Sequence, residues 1–66
     1  MIVVKTVLNG IERHLEMAEN STILNVLEKQ GFQNMTASVG GRVVEDSYVL
    51  KDFDVIQLTP RSGKVG

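Results

Sequence analysis

Ile, Val and Thr dominate Ile2 to Leu8, which reads as a strand, and apolar and polar residues alternate from Ile11 to Met17. The two runs are separated by Asn9-Gly10, which predicts a β-hairpin. A type I′ turn needs positive φ at both central residues, and Asn-Gly tolerates that best. A two-residue loop pairs Leu8 with Ile11 and fixes the register. Ile2, Val4, Thr6, Leu8, Ile11, Arg13, Leu15 and Met17 then share one face, and Val3, Lys5, Val7, Glu12, His14 and Glu16 share the other. The first face is the one to bury. Arg13 lies near the turn, and its long stem can carry its charged head to the rim.

The period changes after the polar connection Ala18-Glu19-Asn20. Ile23, Val26 and Leu27 recur at the spacing of one helical face, with Ser21 or Thr22 as N-cap. Gly31 supplies the left-handed residue that ends the helix, and Phe32 can fold back on it. A helix of about nine to ten residues is too short to stand alone and has to pack on a sheet. Thr36 to Val39 and Arg42-Val43-Val44 flank a second tight turn at Gly40-Gly41. Glu45 to Leu50 is irregular, Leu50-Lys51-Asp52-Phe53-Asp54 is a turn, and Val55 to Thr59 is a last strand. The order is strand, strand, helix, strand, strand, strand. A right-handed crossover through the helix sets the last strand parallel to the first. The expected core is Ile2, Val4, Leu8, Leu15, Ile23, Val26, Leu27, Val39, Leu50, Ile56 and Leu58.

Size and composition narrow the function classes. The chain has 66 residues, enough for one domain, here set at residues 1–60 with a tail at 61–66. Seven basic and eight acidic side chains give a net charge of −1, and no basic run marks a nucleic-acid surface. No apolar run approaches the roughly 18 residues of a membrane span. Cysteine is absent, which excludes disulfides, thiolate metal sites and cysteine nucleophiles. These features lead us to expect a monomeric cytoplasmic protein without cofactors.

Three stretches carry a family likeness. Ser21-Thr22-Ile23-Leu24-Asn25-Val26-Leu27 is the helix start. Ala37-Ser38-Val39-Gly40-Gly41-Arg42-Val43-Val44 looks like a V-x-V-N-G-x-x-V hairpin. Leu50-Lys51-Asp52-Phe53-Asp54-Val55-Ile56 is similar to an L-x-D-G-D-x-V turn and strand, and to the L-x-D-Y stretch of ubiquitin. In this order the chain resembles the small ubiquitin-like sulfur carriers of the ThiS and MoaD type. The resemblance implies an α+β β-grasp fold: a mixed sheet of four to five strands with one main helix across one face. It also implies two partners, an adenylating enzyme and a sulfur-accepting synthase. Phe53 stands where the carriers have glycine, and Val65-Gly66 replaces their terminal Gly-Gly.

The candidate chemistry follows from the tail. Arg61, Ser62, Gly63, Lys64, Val65 and Gly66 contain nothing that packs, and fully extended they reach roughly 20 Å. Glycine has no Cβ, so an active site can close tightly on its carboxylate. By the resemblance, the Gly66 carboxylate is adenylated and converted to a thiocarboxylate. Val65 adds a stiff branched side chain next to it. The rival is a ubiquitin-like binding module whose outer sheet face, through Val3, Val7, Val55, Gln57 and Thr59, docks a partner while the tail stays inert. A structural subunit of a larger enzyme is a third reading. The chain offers no nucleophile–base pair and no cofactor loop, so it is not expected to be an enzyme itself. His14 is the lone histidine on an outer strand face, Asp52 and Asp54 read as turn caps, and Gly40-Gly41 lacks the lysine of a phosphate loop.

Overall fold

The computed structural model describes residues 1–61. Strands β1 (Ile2–Leu8) and β2 (Ile11–Met17) form the hairpin, with Leu8 opposite Ile11 and Ile2 opposite Met17. Asn9 and Gly10 both take positive φ, 54° and 78°, as a type I′ turn requires. Helix α1 (Ile23–Gln30) follows, then β3 (Met35–Val39), β4 (Arg42–Val44) and β5 (Val55–Pro60). The sheet order is β2-β1-β5-β3-β4. β5 runs parallel to β1 and antiparallel to β3, and α1 crosses one face. The result is the expected α+β architecture, with five strands. Among the described residues no helix is long and apolar enough to cross a membrane.

The helix is set by its ends. Thr22 is the N-cap: its Oγ1 accepts the Asn25 N–H, while Asn25 Oδ1 accepts the Thr22 N–H at 2.9 Å. This is a capping box with asparagine at the third helical position. The next two free amides are met by the irregular loop before β5. Ile23 N–H donates to the Tyr48 carbonyl and Leu24 N–H to the Asp46 carbonyl, each at 3.0 Å. Every early helix donor thus has an acceptor, which is why the loop lies where it does. At the other end Gly31 sits at φ 73°, and Phe32 N–H returns to the Leu27 carbonyl at 2.9 Å, closing a Schellman pattern.

Ile23, Val26, Ile56 and Val4 are sealed from water, and Ile2, Met17, Leu27, Ala37, Leu50 and Leu58 complete the core. Three residues expected there differ. Leu8, Leu15 and Val39 are only partly buried and pack along its border. Ile11, on the same face, is 62 % exposed. The cause is the cover. An eight-residue helix is about 12 Å long and covers the middle of the sheet, whereas Leu8 and Ile11 sit at the hairpin turn, Leu15 on edge strand β2 and Val39 beside edge strand β4.

Candidate functional site

The turn before β5 positions the outer sheet face. Asp52 Oδ1 accepts the Val3 N–H at 2.8 Å, and Phe53 N–H donates to the Val3 carbonyl at 2.7 Å. Lys5 N–H reaches the Asp54 carbonyl at 2.9 Å, and Asp54 Oδ2 accepts the Lys51 N–H at 2.8 Å. Both aspartates therefore act as turn and strand caps. They lock the start of β5 against β1 with Lys5 beside Val55 and Val7 beside Gln57.

That register lays out the outward side chains in rows. Glu12, Val7, Gln57 and Ser38 form one row across four strands. His14, Lys5 and Val55 form the next, and Val3 stands beyond it with Phe53. Thr59 lies at the other end, opposite Thr36. Val3, Val7, Val55, Gln57 and Thr59 do share the outer face, but its apolar part lies away from Pro60 and Arg61, the last described residues. Val3 and Val55 sit where β5 begins, and Pro60 closes the strand at its far, polar end. A cleft of about 190 Å³ runs between Val3, Lys5, His14, Phe53 and Val55. Among the described residues no group of three His, Cys, Asp or Glu side chains is placed to hold a metal ion.

Phe53 is the feature the residues alone did not flag. It holds φ at 69° and is 77 % exposed. A non-glycine residue is strained there, and an aromatic side chain gains little from so much solvent. The one available signal was the glycine at this place in the carriers it resembles.

The tail begins differently from expectation. Arg61 N–H donates to the Asn34 carbonyl at 2.7 Å, and its Nη2 to the Met35 carbonyl at 3.1 Å. Asn34, in the left-handed region at φ 58°, turns into β3 and offers that carbonyl. Arg61 is thus tied to the sheet and is not part of a free arm. A cavity of about 560 Å³ opens beside it, walled by Leu24, Phe32 and Met35 and edged by Glu28 and Asp46. Ser62, Gly63, Lys64, Val65 and Gly66 lie outside the described residues.

No protein-family model and no curated protein sequence matches the chain. Solved structures do. A putative molybdopterin converting factor, subunit 1, from Pyrococcus furiosus aligns at a TM-score of 0.78 with 21 % identity, covering 92 % of this chain and 99 % of that one. The thiamine biosynthesis protein ThiS from Geobacter metallireducens aligns at 0.63 with 20 % identity, covering 92 % and 99 %. The ubiquitin of Caldiarchaeum subterraneum aligns at 0.69 with 21 % identity, covering 92 % and 94 %. The chain has the ubiquitin-like β-grasp fold. It spans nearly the whole of these three, but only 42 % of another neighbour, ATBAG1 in complex with HSP70, which aligns at 0.78 with 9 % identity. At such identities the likeness establishes the β-grasp and its similarity to ThiS and MoaD, not the chemistry.

Proposed function

We propose that this small ubiquitin-like protein is a sulfur carrier, itself a substrate and not an enzyme, activated at the carboxylate of Gly66. The observation that carries the reading is the match in size and topology to a molybdopterin converting factor subunit and to ThiS, over 92 % of this chain and 99 % of each of those. In the proposed sequence an adenylating partner lets the Gly66 carboxylate attack the α-phosphate of ATP. Pyrophosphate leaves and an acyl adenylate forms. A sulfide-level donor then attacks the acyl carbon, AMP leaves, and the thiocarboxylate remains for a synthase to consume. Val65 slows the first step because its branched side chain crowds any channel that closes on the terminus. The test is AMP-ester formation with an adenylating enzyme of the host and ATP. Val65→Gly should raise the rate, and deletion of Gly66 should abolish it. A wild-type tail inert toward every such enzyme would overturn the proposal.

The rival reading, a binding module with an unreactive tail, is favoured by one feature. Val3, Val55 and the strained, exposed Phe53 gather at the end of the sheet where β5 begins, the end opposite Pro60. Replacing Val3 and Val55 with lysine separates the two. It abolishes partner capture in the binding-module reading and leaves adenylation measurable in the carrier reading.

A further inference from the structure

The cavity of about 560 Å³ beside Arg61 joins an apolar wall to an acidic rim. Leu24, Leu27, Phe32 and Met35 make the wall. Leu24 is 44 % exposed, so part of that wall faces solvent. Two elements make the rim. Leu24 N–H donates to the Asp46 carbonyl, which holds Asp46 at the start of α1. Glu28 stands one helical turn beyond Leu24 and on the same side. Both acids are exposed, and neither enters an ion pair among the described residues.

The described chain ends at this rim. Arg61 lines the cavity, and its bonds to the Asn34 and Met35 carbonyls fix the point from which Ser62 continues. The five residues that follow carry one cation, Lys64, and one apolar side chain, Val65. Their own sequence gives Val65 nothing to pack on, but the cavity wall does. Lys64 is third after Arg61, so its Cα reaches up to about 10 Å from that anchor, and Gly66 up to about 17 Å. The rim from Leu24 to Glu28 spans about 6 Å of helix, well inside that reach. Gly63 between them lets the chain bend sharply.

We propose that the chain's own last five residues, Ser62 to Gly66, fold back into this cavity, with Lys64 paired to Glu28 and Asp46 and Val65 laid on Leu24 and Phe32. An exposed ion pair is weak by itself. Tethering offsets that, because a short linker holds the tail at an effective concentration of about millimolar. The closed and open forms are therefore both populated, and a partner that binds the open tail draws it out. The consequence for activation rests on the carrier reading: the closed form withholds the Gly66 carboxylate until an adenylating partner captures the tail.

The chain has no cysteine, so Gly66→Cys carrying a nitroxide labels one site and keeps both Lys64 and Val65. The experiment measures the paramagnetic broadening of backbone amides in the isotope-labelled full chain. The expected result is broadening centred on Leu24, Glu28 and Asp46. Lys64→Glu should reduce it there by about two- to fivefold, and Lys64→Arg should keep it. That residue lies outside the described body, so its substitution leaves the core intact. Glu28→Lys with Asp46→Lys should have the same effect as Lys64→Glu, and an unchanged amide spectrum without the nitroxide checks the fold. Broadening that Lys64→Glu leaves unchanged, or that centres on the outer sheet face, would overturn the proposal. So would broadening passed from a spin-labelled copy to a separate isotope-labelled one, which assigns the cavity to another molecule's tail. The measurement uses the protein alone. An open tail would leave the carrier reading standing, and a Gly66 that no enzyme adenylates would leave the docking standing.

Discussion

Replacing Thr6 and Gln30 together should stabilise the protein, although the two share a hydrogen bond. Thr6 is 2 % exposed and points from β1 toward the end of the helix. Gln30 Nε2 donates to Thr6 Oγ1 at 3.2 Å, at the long end of the useful range. Gln30 Oε1 is buried and has no partner among the described residues. Whichever way the amide is turned, one of its polar atoms meets Thr6 and the other meets nothing. The bond itself is worth about 0.5–1.5 kcal/mol net, and the unpaired carbonyl costs about 1–3 kcal/mol. Thr6→Val keeps the shape and adds a buried methyl, worth about 0.8 kcal/mol. That change alone leaves the amide needing water, so it should be nearly neutral. Gln30→Leu alone exchanges one orphan, the amide carbonyl, for another, the Thr6 hydroxyl, and should also lie within about 1 kcal/mol of wild type. The double variant leaves no orphan and should gain about 1–2 kcal/mol, more than the singles sum to. Urea unfolding is the assay. With m of about 1 kcal/mol/M for so small a domain, the midpoint should rise by about 1–2 M with m unchanged. A double variant less stable than wild type by about 1 kcal/mol or more would refute the reasoning. It would show that the pair is well satisfied in solution.

Three further outcomes follow from the same structure. Thr22→Ala removes the acceptor for the Asn25 N–H and should cost about 1 kcal/mol, read as a lower urea midpoint. Phe53→Gly relieves the left-handed backbone at 69° and should raise stability by about 0.5–1 kcal/mol, net of the added freedom of the unfolded chain. A thermal melt checks this, and a loss of stability would show that the aromatic ring packs more than its exposure implies. Leu27→Ala opens the core under the Schellman turn and should cost about 2–5 kcal/mol, enough to unfold a large share of the molecules at 25 °C by circular dichroism.

Local chemistry was legible in the sequence and coverage was not. Asn9-Gly10, Gly40-Gly41 and Gly31 each announce a positive φ, and all of them adopt it. Thr22 and the Ile23, Val26, Leu27 spacing place the helix to within a residue or two. Alternation assigns Val3, Val7, Val55, Gln57 and Thr59 to the outer face. It does not say which end of that face each occupies, because that depends on the long-range register of β1 against β5. Leu8, Leu15, Val39 and Ile11 are apolar and face inward, yet Ile11 and Leu8 sit at the turn end of the hairpin, Leu15 on edge strand β2 and Val39 beside edge strand β4, where cover depends on the assembled sheet. Arg61 reads as tail because nothing local reveals the Asn34 and Met35 carbonyls that hold it. The cavity beside Arg61 is equally hidden, since Leu24, Phe32 and Asp46 meet only in the folded chain.

The most direct test of the carrier proposal is the intact mass of the protein isolated from its host, and again after incubation with a cognate adenylating enzyme, ATP and a sulfide donor. A carrier shows a species heavier by the difference between one sulfur and one oxygen, and fragmentation places that gain on Gly66. Alkylation of the thiocarboxylate sulfur should then consume the heavier species. A mass that never changes, from the host or with any adenylating enzyme it contains, would contradict a reactive terminus and leave the β-grasp body as a binding module.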